Sequence, residues 1–465
     1  MTLHLLSPLD GRYAETTAPL TDFFSEFAFL RDRVRVELNF LLALSKTDLV
    51  RPLSDSESAQ IESIITNFSD ADAESILEYE RKTRHDVKAI EYFIQSKLTL
   101  DSASLLAKSQ EQAPALQNLI PWIHFGLTSE DTNSIGQAIA LNESRDKVIL
   151  PNLQLLITNL SELAVRYKSI PMLARTHGQF AVPTTLGKEF AVYIARLKKT
   201  RDDIASHHFE AKLTGAIGNF NALQAAVPNI DWISFSEEFV SSFGLEPNLL
   251  TTQILPYDNW VRYFDLIRLT NSILIDFAQD IWRYISDGYL RQAVVAGEVG
   301  SSTMPQKVNP IDFENAEGNL GVANSLFTHY AQKLTVSRLQ RDLSDSTVRR
   351  TFGTALGHSL IAWTNFQRGL KRIAPDEEKL KAELNAHWEV VSEGAQTILR
   401  AAGKSDAYES LKEQTRGRVL TESDYKAWCD SIDVDEATRE KLKRLSPETY
   451  IGLAIELTGL VAIRK

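Results

Sequence analysis

Residues 257–287 read YDNWVRYFDLIRLTNSILIDFAQDIWRYISD, a run with neither proline nor glycine. Trp260, Phe264, Ile267, Leu274, Ile281 and Ile285 fall on one stripe at helical spacing, with Ala278 between them. At about 1.5 Å per residue, such a helix approaches 45 Å. That is longer than usual in globular proteins, and a helix this long needs partner helices along its whole extent.

Three further intervals have the same texture. Asn152 to Ile170 lies between Pro151 and Pro171, the first proline well placed near a helix start. Lys188 to Thr214 carries Phe190, Tyr193, Ile194 and Leu197, and a fourth run extends from Ile311 towards Ser337. Strand signals are scarce. The pattern predicts an all-α protein in three parts: a helical N-terminal domain over 1–117, a central long-helix bundle over 118–370, and a charged, short-helical C-terminal domain over 371–465. Within the first part, Arg51 to Asp55 and Asp70 to Asp72 read as connections. Pro375-Asp376-Glu377-Glu378 reads as a helix start, with acids in the first turn. Apolar stripes on more than one face of the bundle favour oligomerisation.

Composition narrows the function. The 465-residue chain is 43% hydrophobic and 24% charged, ordinary for a globular protein with a large core. Its net charge of -11 argues against a general nucleic-acid binder, which needs a basic footprint, but leaves room for a local cationic pocket. The single cysteine, Cys429, forms no internal disulfide and suits a reducing, cytoplasmic setting. The N-terminus lacks the cationic start of a secretory signal. No run of eighteen apolar residues occurs, so no membrane-spanning helix is expected.

Between two of the helical runs stands GEVGSSTMPQKVNP, Gly297 to Pro310. Pro305 and Pro310 stop it from continuing as a helix. It concentrates hydroxyl, ammonium and amide groups in Ser301, Ser302, Lys307 and Asn309. An arbitrary stretch of this kind is a polar surface loop; a sharper reading depends on what the rest of the chain supplies.

Four clusters supply candidates. Arg175-Thr176-His177-Gly178-Gln179 offers a histidine, which gives or takes a proton near neutrality, in a turn at the mouth of a long helix. Unsupported, a lone histidine is more often structural. In Thr83-Arg84-His85-Asp86-Val87-Lys88, Asp86 either orients His85 or caps the following helix. His124-Phe125-Gly126-Leu127-Thr128-Ser129-Glu130-Asp131 reads first as a helix N-terminus, whose backbone N–H groups also suit an anion. Ser337 to Arg350 holds four arginines interleaved with Ser and Thr, fit either for a solvated face or for carboxylate and phosphate recognition. No phosphate-binding GxxxxGK[ST] loop, strand-linked GxGxxG, HExxH, Cys/His ligand set or GxSxG elbow occurs. Thr214 to Asn219 is glycine-rich and reads as a helix break.

Gly300-Ser301-Ser302-Thr303-Met304-Pro305-Gln306-Lys307-Val308-Asn309-Pro310 resembles the GSSxMPxKxNP signature of the fumarase/aspartase superfamily, a highly specific pattern. The clusters at 175–179 and 128–131, Thr251-Thr252-Gln253 and Arg338 to Asp342 resemble its adenylosuccinate lyase branch. The likeness runs from Asp10-Gly11-Arg12-Tyr13 into the C-terminal region. It implies the three-domain fumarase/aspartase fold, with long helices forming the core of a homotetramer whose active sites each draw on three subunits. It also implies a β-elimination without cofactor or metal, releasing fumarate from adenylosuccinate and from the succinylated aminoimidazole carboxamide ribotide (SAICAR). Ser301 matches the general base and His177 the general acid. Arg12, Tyr13, Arg84, His85, Asp86, His124, Thr128, Ser129, Gln253, Ser302, Lys307, Asn309, Asn315, Arg341, Ser346 and Arg350 match substrate-binding positions. The glycines of the signature loop imply a lid that closes over substrate. Two residues depart from relatives: Phe180 stands where many have proline, and Arg84 where some have asparagine and other branches arginine. The rivals are argininosuccinate lyase, which shares the loop, and an inactive helical scaffold of the same superfamily.

Overall fold

The computed structural model describes residues 4–106, 116–293, 303–304, 306–405, 407, 409, 411–412 and 419–462. Helices dominate. Helices α1 (Ala14–Phe24) and α2 (Glu26–Leu44) meet at Ser25, whose side chain caps α2 by accepting the Ala28 N–H. Helices α3 (Asp55–Thr66) and α4 (Asp70–Thr83) each open with a reciprocal capping box, Ser54 with Glu57 and Ser69 with Asp72. Asp70 to Asp72 is therefore the first turn of a helix, not a connection. Helix α5 covers Asp86–Leu106. Helix α6 (Ser129–Ser144) continues through one π turn at Arg145–Ile149 into α7 (Leu150–Arg166). The continuous stretch Ser129–Arg166 contains a window long and apolar enough to cross a membrane, yet 44% of that window is buried inside the fold. A core helix of an all-α protein meets the same test.

Helices α8 (Leu186–Ala205), α9 (Asn221–Ala226) and α10 (Trp232–Ser241) precede α11 (Asp258–Ser286), the 29-residue helix expected from the opening stripe. Trp260, Phe264, Ile267, Leu274, Ala278 and Ile281 are all buried on it. Then come α12 (Ile311–Leu334), α13 (Ser344–Arg349), α14 (Phe352–Leu370), α15 (Glu377–Asn385), α16 (Ser392–Ala401), α17 (Glu422–Ser431), α18 (Glu436–Lys443) and α19 (Ala454–Ala462). Asp376 caps α15 by accepting the Lys379 N–H, as its sequence predicts.

The strands are short. β1 (Pro171–Thr176) and β2 (Gln179–Thr185) form an antiparallel hairpin. β3 (Glu210–Ala211) pairs in parallel with β4 (Glu246–Pro247), and β5 (Leu290–Gln292) antiparallel with β6 (Ile373–Pro375). The β3 pairing corrects the helix expected to reach Thr214. Helix α8 ends at Ala205, because Phe209, Ala211 and Leu213 bury their side chains on an extended backbone instead.

The chain folds as two compact units. The first comprises Met1–Pro151, Asp202–Leu269 and Gly321–Ile361. Phe40 lies edge-on to Phe239 at 5.6 Å in its core, and Phe264 packs on Phe352 at 4.6 Å. The second comprises Asn152–Arg201, Thr270–Leu320 and Ala362–Lys465. There Phe277 joins Phe190 and Phe366, and a separate core gathers Leu173, Leu384, Trp388, Tyr425 and Cys429.

Candidate active site

In the first unit, His85, His124, Thr128 and Ser129 line one open cleft of about 570 Å³, together with Thr83, Lys88, Glu91, Tyr92 and Leu127. Two helix starts build it. His85 stands one residue ahead of α5, and its Nδ1 accepts the Lys88 backbone N–H at 3.2 Å. That satisfies a donor that the helix start would leave free. In the neutral ring it also puts the proton on Nε2. Asp86 serves differently. Its Oδ1 accepts the N–H of Val87 at 2.9 Å, and its Oδ2 meets Arg33 at 2.5 Å. Burial would lift the Asp86 carboxyl, but the Arg33 guanidinium, the Val87 N–H and His85 together outweigh burial and hold it below the usual range. Arg350 reaches towards the same oxygen at 3.9 Å and towards Glu26 at 3.4 Å.

The second start is that of α6. Thr128 donates its N–H to Asp131 Oδ2 at 2.9 Å, and Ser129 opens the helix, as the sequence predicts. The next two residues anchor it. Asp131 is fully buried and takes Lys212 Nζ at 2.6 Å and the N–H groups of Thr214 and Gly215. Glu130 is equally buried and takes Arg341 at 3.0 Å, Arg349 at 2.9 Å and the Tyr257 hydroxyl at 3.0 Å. Burial alone would lift the Glu130 carboxyl; Arg349 and Arg341 more than offset it and lower it. Asp345 completes a balanced set of two acids and two arginines, 2.9 Å from Arg349.

These anchors carry the other expected residues. The turn at Thr214 to Gly218 meets Thr251, through a hydroxyl pair at 2.6 Å. Two residues on, Gln253 Oε1 accepts from Arg341 at 3.3 Å, so two expected binding residues touch. Gly218 makes this turn possible. It holds φ +87°, and a Cβ there would stand 2.0 Å from the Thr251 carbonyl oxygen. Gly218→Ala is expected to cost at least about 1–3 kcal/mol, read as a lowered Tm at a fixed scan rate. An unchanged Tm would show that the turn yields freely.

Arg12 and Tyr13 stand at the start of α1, the guanidinium 6.0 Å from the Tyr13 ring, and do not line the cleft. Arg84 closes α4 in the left-handed region, and Ser346 lies in α13. Among the described residues only Arg84, His124, His177, Phe220 and Leu339 hold a positive φ without being glycine. Three of these are expected site residues and Leu339 lies two residues before Arg341. Strained backbone of this kind concentrates where function over-determines the structure.

The second unit holds His177. Rather than a turn opening directly into a helix, the structure gives a β-hairpin in which Thr176 pairs with Gln179. His177 and Gly178 are its two-residue loop, at φ +53° and +73°, the geometry of a type I′ turn. The tip is exposed. Phe180 packs on the His387 ring at 4.1 Å and under the Arg175 guanidinium at 4.4 Å. Arg175 donates to Tyr289 at 2.9 Å and to Glu383 at 3.2 Å. The departure at Phe180, which pairs with Arg175, thus braces the hairpin beside its turn. Lys307 is exposed and Asn309 half-buried just before α12. Asn315, one turn into α12, accepts from Asn319 at 3.0 Å and from Asn365. Ser301 and Ser302, and with them the glycines on which the expected lid rests, lie outside the described residues.

Sequence reading missed Glu37, Glu91, Tyr92 and Lys212, and quoted Lys88 without giving it a role. Glu37 Oε1 lies 2.7 Å from His124 Nδ1 and accepts from Thr132 Oγ1 at 2.6 Å. A signal existed: Arg33 and Glu37 sit on the same helical stripe as Leu30, Leu41 and Leu44, and all five are buried. Charges on an apolar stripe need buried partners.

Comparison with known proteins places this architecture. A solved 3-carboxy-cis,cis-muconate lactonizing enzyme from Pseudomonas putida superposes with a TM-score of 0.72 at 19% identity, covering 96% of each chain. That shared fold, with the match of most of the chain to the family described as Lyase, is the all-α fumarase/aspartase type. Residues 11–324 match the family described as Lyase, and 337–451 the family described as Adenylosuccinate lyase C-terminal. The chain is 46% identical to the adenylosuccinate lyase of Haemophilus influenzae and 44% identical to that of Vibrio cholerae, each over 98% of both chains. It belongs to the adenylosuccinate lyase family.

Proposed function

We propose that this protein is a carbon–nitrogen lyase that eliminates fumarate from adenylosuccinate, leaving AMP, and from SAICAR, leaving the aminoimidazole carboxamide ribotide. The observation that carries the reading is the near-complete match, at 46% identity, to a relative bearing that activity in its name. The chemistry suits the residues. A proton leaves a carbon beside a carboxylate, so negative charge develops and calls for cationic and N–H donors. Ser301 takes that proton, with Lys307 and loop N–H groups lowering the cost of its alkoxide. His177 protonates the leaving nitrogen. The cleft with His85, His124, Thr128 and Ser129 receives phosphate and carboxylates, and Arg341 and Arg350 add positive charge to the site. The protein works as a cytoplasmic homotetramer whose sites draw on three subunits, so residues far apart in one chain serve one substrate.

Purified protein mixed with adenylosuccinate should change the ultraviolet absorbance as AMP forms; argininosuccinate in its place should release no fumarate. Turnover of argininosuccinate alone would reverse the assignment, and turnover of neither would make the chain a scaffold.

A further inference from the structure

Behind the cleft, Glu37 touches the lining residue His124 and has no place in the proposed function. It sits in the middle of α2, its side chain wholly buried, at 0% exposure. One oxygen serves both His124 Nδ1, at 2.7 Å, and the Thr132 hydroxyl, at 2.6 Å. The other, Oε2, has no hydrogen-bond partner among the described residues. A buried carboxylate is costly unless a charge answers it, and the imidazole is the group placed to do so. His124 in turn is held in the left-handed region at φ +58°, so its backbone gives the ring a fixed origin.

We propose that Glu37 is a positioning residue: from behind, it holds His124 by Nδ1, leaves Nε2 to the cleft, and keeps the ring cationic towards an anionic group of the substrate. This rests on the reading that the cleft receives that substrate. Thr132, one turn into α6, fixes the carboxylate so that the ring cannot rotate away. The charges around His124 come from three helices: Glu37 on α2, Glu91 on α5 and Asp131 on α6. His85 and Lys88 share the cleft, with Lys88 paired to Glu91 at 2.6 Å. Burial works against a charged ring here, yet Glu37, with smaller help from Glu91 and Asp131, outweighs it and raises His124 above its usual range. The sign follows. The ring stays protonated to higher pH than a free histidine and loses its charge as pH rises through the raised value.

Glu37→Gln keeps the shape and removes the charge. KM for adenylosuccinate should then begin to rise at least about one pH unit lower than in the wild type, which is about a tenfold higher KM on that limb. The fall in kcat should be smaller than the rise in KM, and Glu37→Asp should recover part of the lost pH range. An active Glu37→Gln enzyme with the wild-type KM profile would overturn the proposal and leave the proposed activity standing. A second measurement needs neither that variant nor turnover. The ring ¹³C resonance of His124 in the wild-type protein, identified by its absence in His124→Gln, should titrate above about 6.5. Titration at or below that value would also overturn it. A wild type inert towards adenylosuccinate, with His124 titrating high, would instead refute the activity and keep the pair.

Discussion

His177→Asn is expected to lower adenylosuccinate turnover by about 10²- to 10⁴-fold while leaving Tm within reach of the wild type. Asparagine is the better choice than alanine for a structural reason. His177 occupies the first loop position of a type I′ hairpin at φ +53°. Asparagine favours that position and tolerates the left-handed backbone, whereas alanine resists it. The variant therefore removes the proton donor without disturbing the strand register from Thr176 to Gln179. Because the tip is exposed, no buried packing is lost. A purine nitrogen leaves poorly as an anion, so losing its donor slows the bond-breaking step, and the loss appears in kcat more than in KM. Ser301→Ala should cause a fall of the same order, by removing the base from the other end of the bond. The two losses should not multiply in the double variant, since proton removal and proton donation serve one reaction. Near-normal turnover in either single variant would refute the role given to that residue.

Much of the fold was legible because it depends on periodicity and caps. The stripe on 257–287 became α11 almost residue for residue, and Asp376 and Thr128 precede helices where their neighbours predict them. The signature loop carried the family. Legibility failed where long-range pairing overrode local preference. Residues 206–214 carry no breaker, yet Glu210 and Ala211 pair with Glu246 and Pro247, and that contact decides their backbone. The hairpin at 171–185 was hidden by its prolines and by the helices on either side. At the site, residue types were legible and partnerships were not. Arg349 looked as fit for phosphate as Arg350, yet it is buried against Glu130, 219 positions away. Nothing in a linear reading tells which carboxylate meets which guanidinium.

That same long-range pairing makes Lys212→Met the substitution with the largest expected cost to the fold. Lys212 and Asp131 are both buried, with Nζ and Oδ1 2.6 Å apart, and Nζ also donates to the Gly215 carbonyl at 3.2 Å. Methionine nearly fills the space but leaves the Asp131 charge facing only backbone N–H groups. Removing one partner of a buried pair typically costs about 3–5 kcal/mol. For units of this size, that is a fall in Tm on the order of 10 °C. Asp131 is the pin between the start of α6 and the turn that reaches Thr251, so the damage spreads to the cleft. KM should therefore rise, although Lys212 does not line that cleft. Lys212→Met with Asp131→Asn separates charge from packing. Neutralising both should cost less than the sum of the two single changes, because the uncompensated charge is gone. If the double variant instead loses the full sum, the pair contributes through shape alone. The buried ion pair would then have no part in holding the Thr128–Ser129 helix start to the turn beneath it.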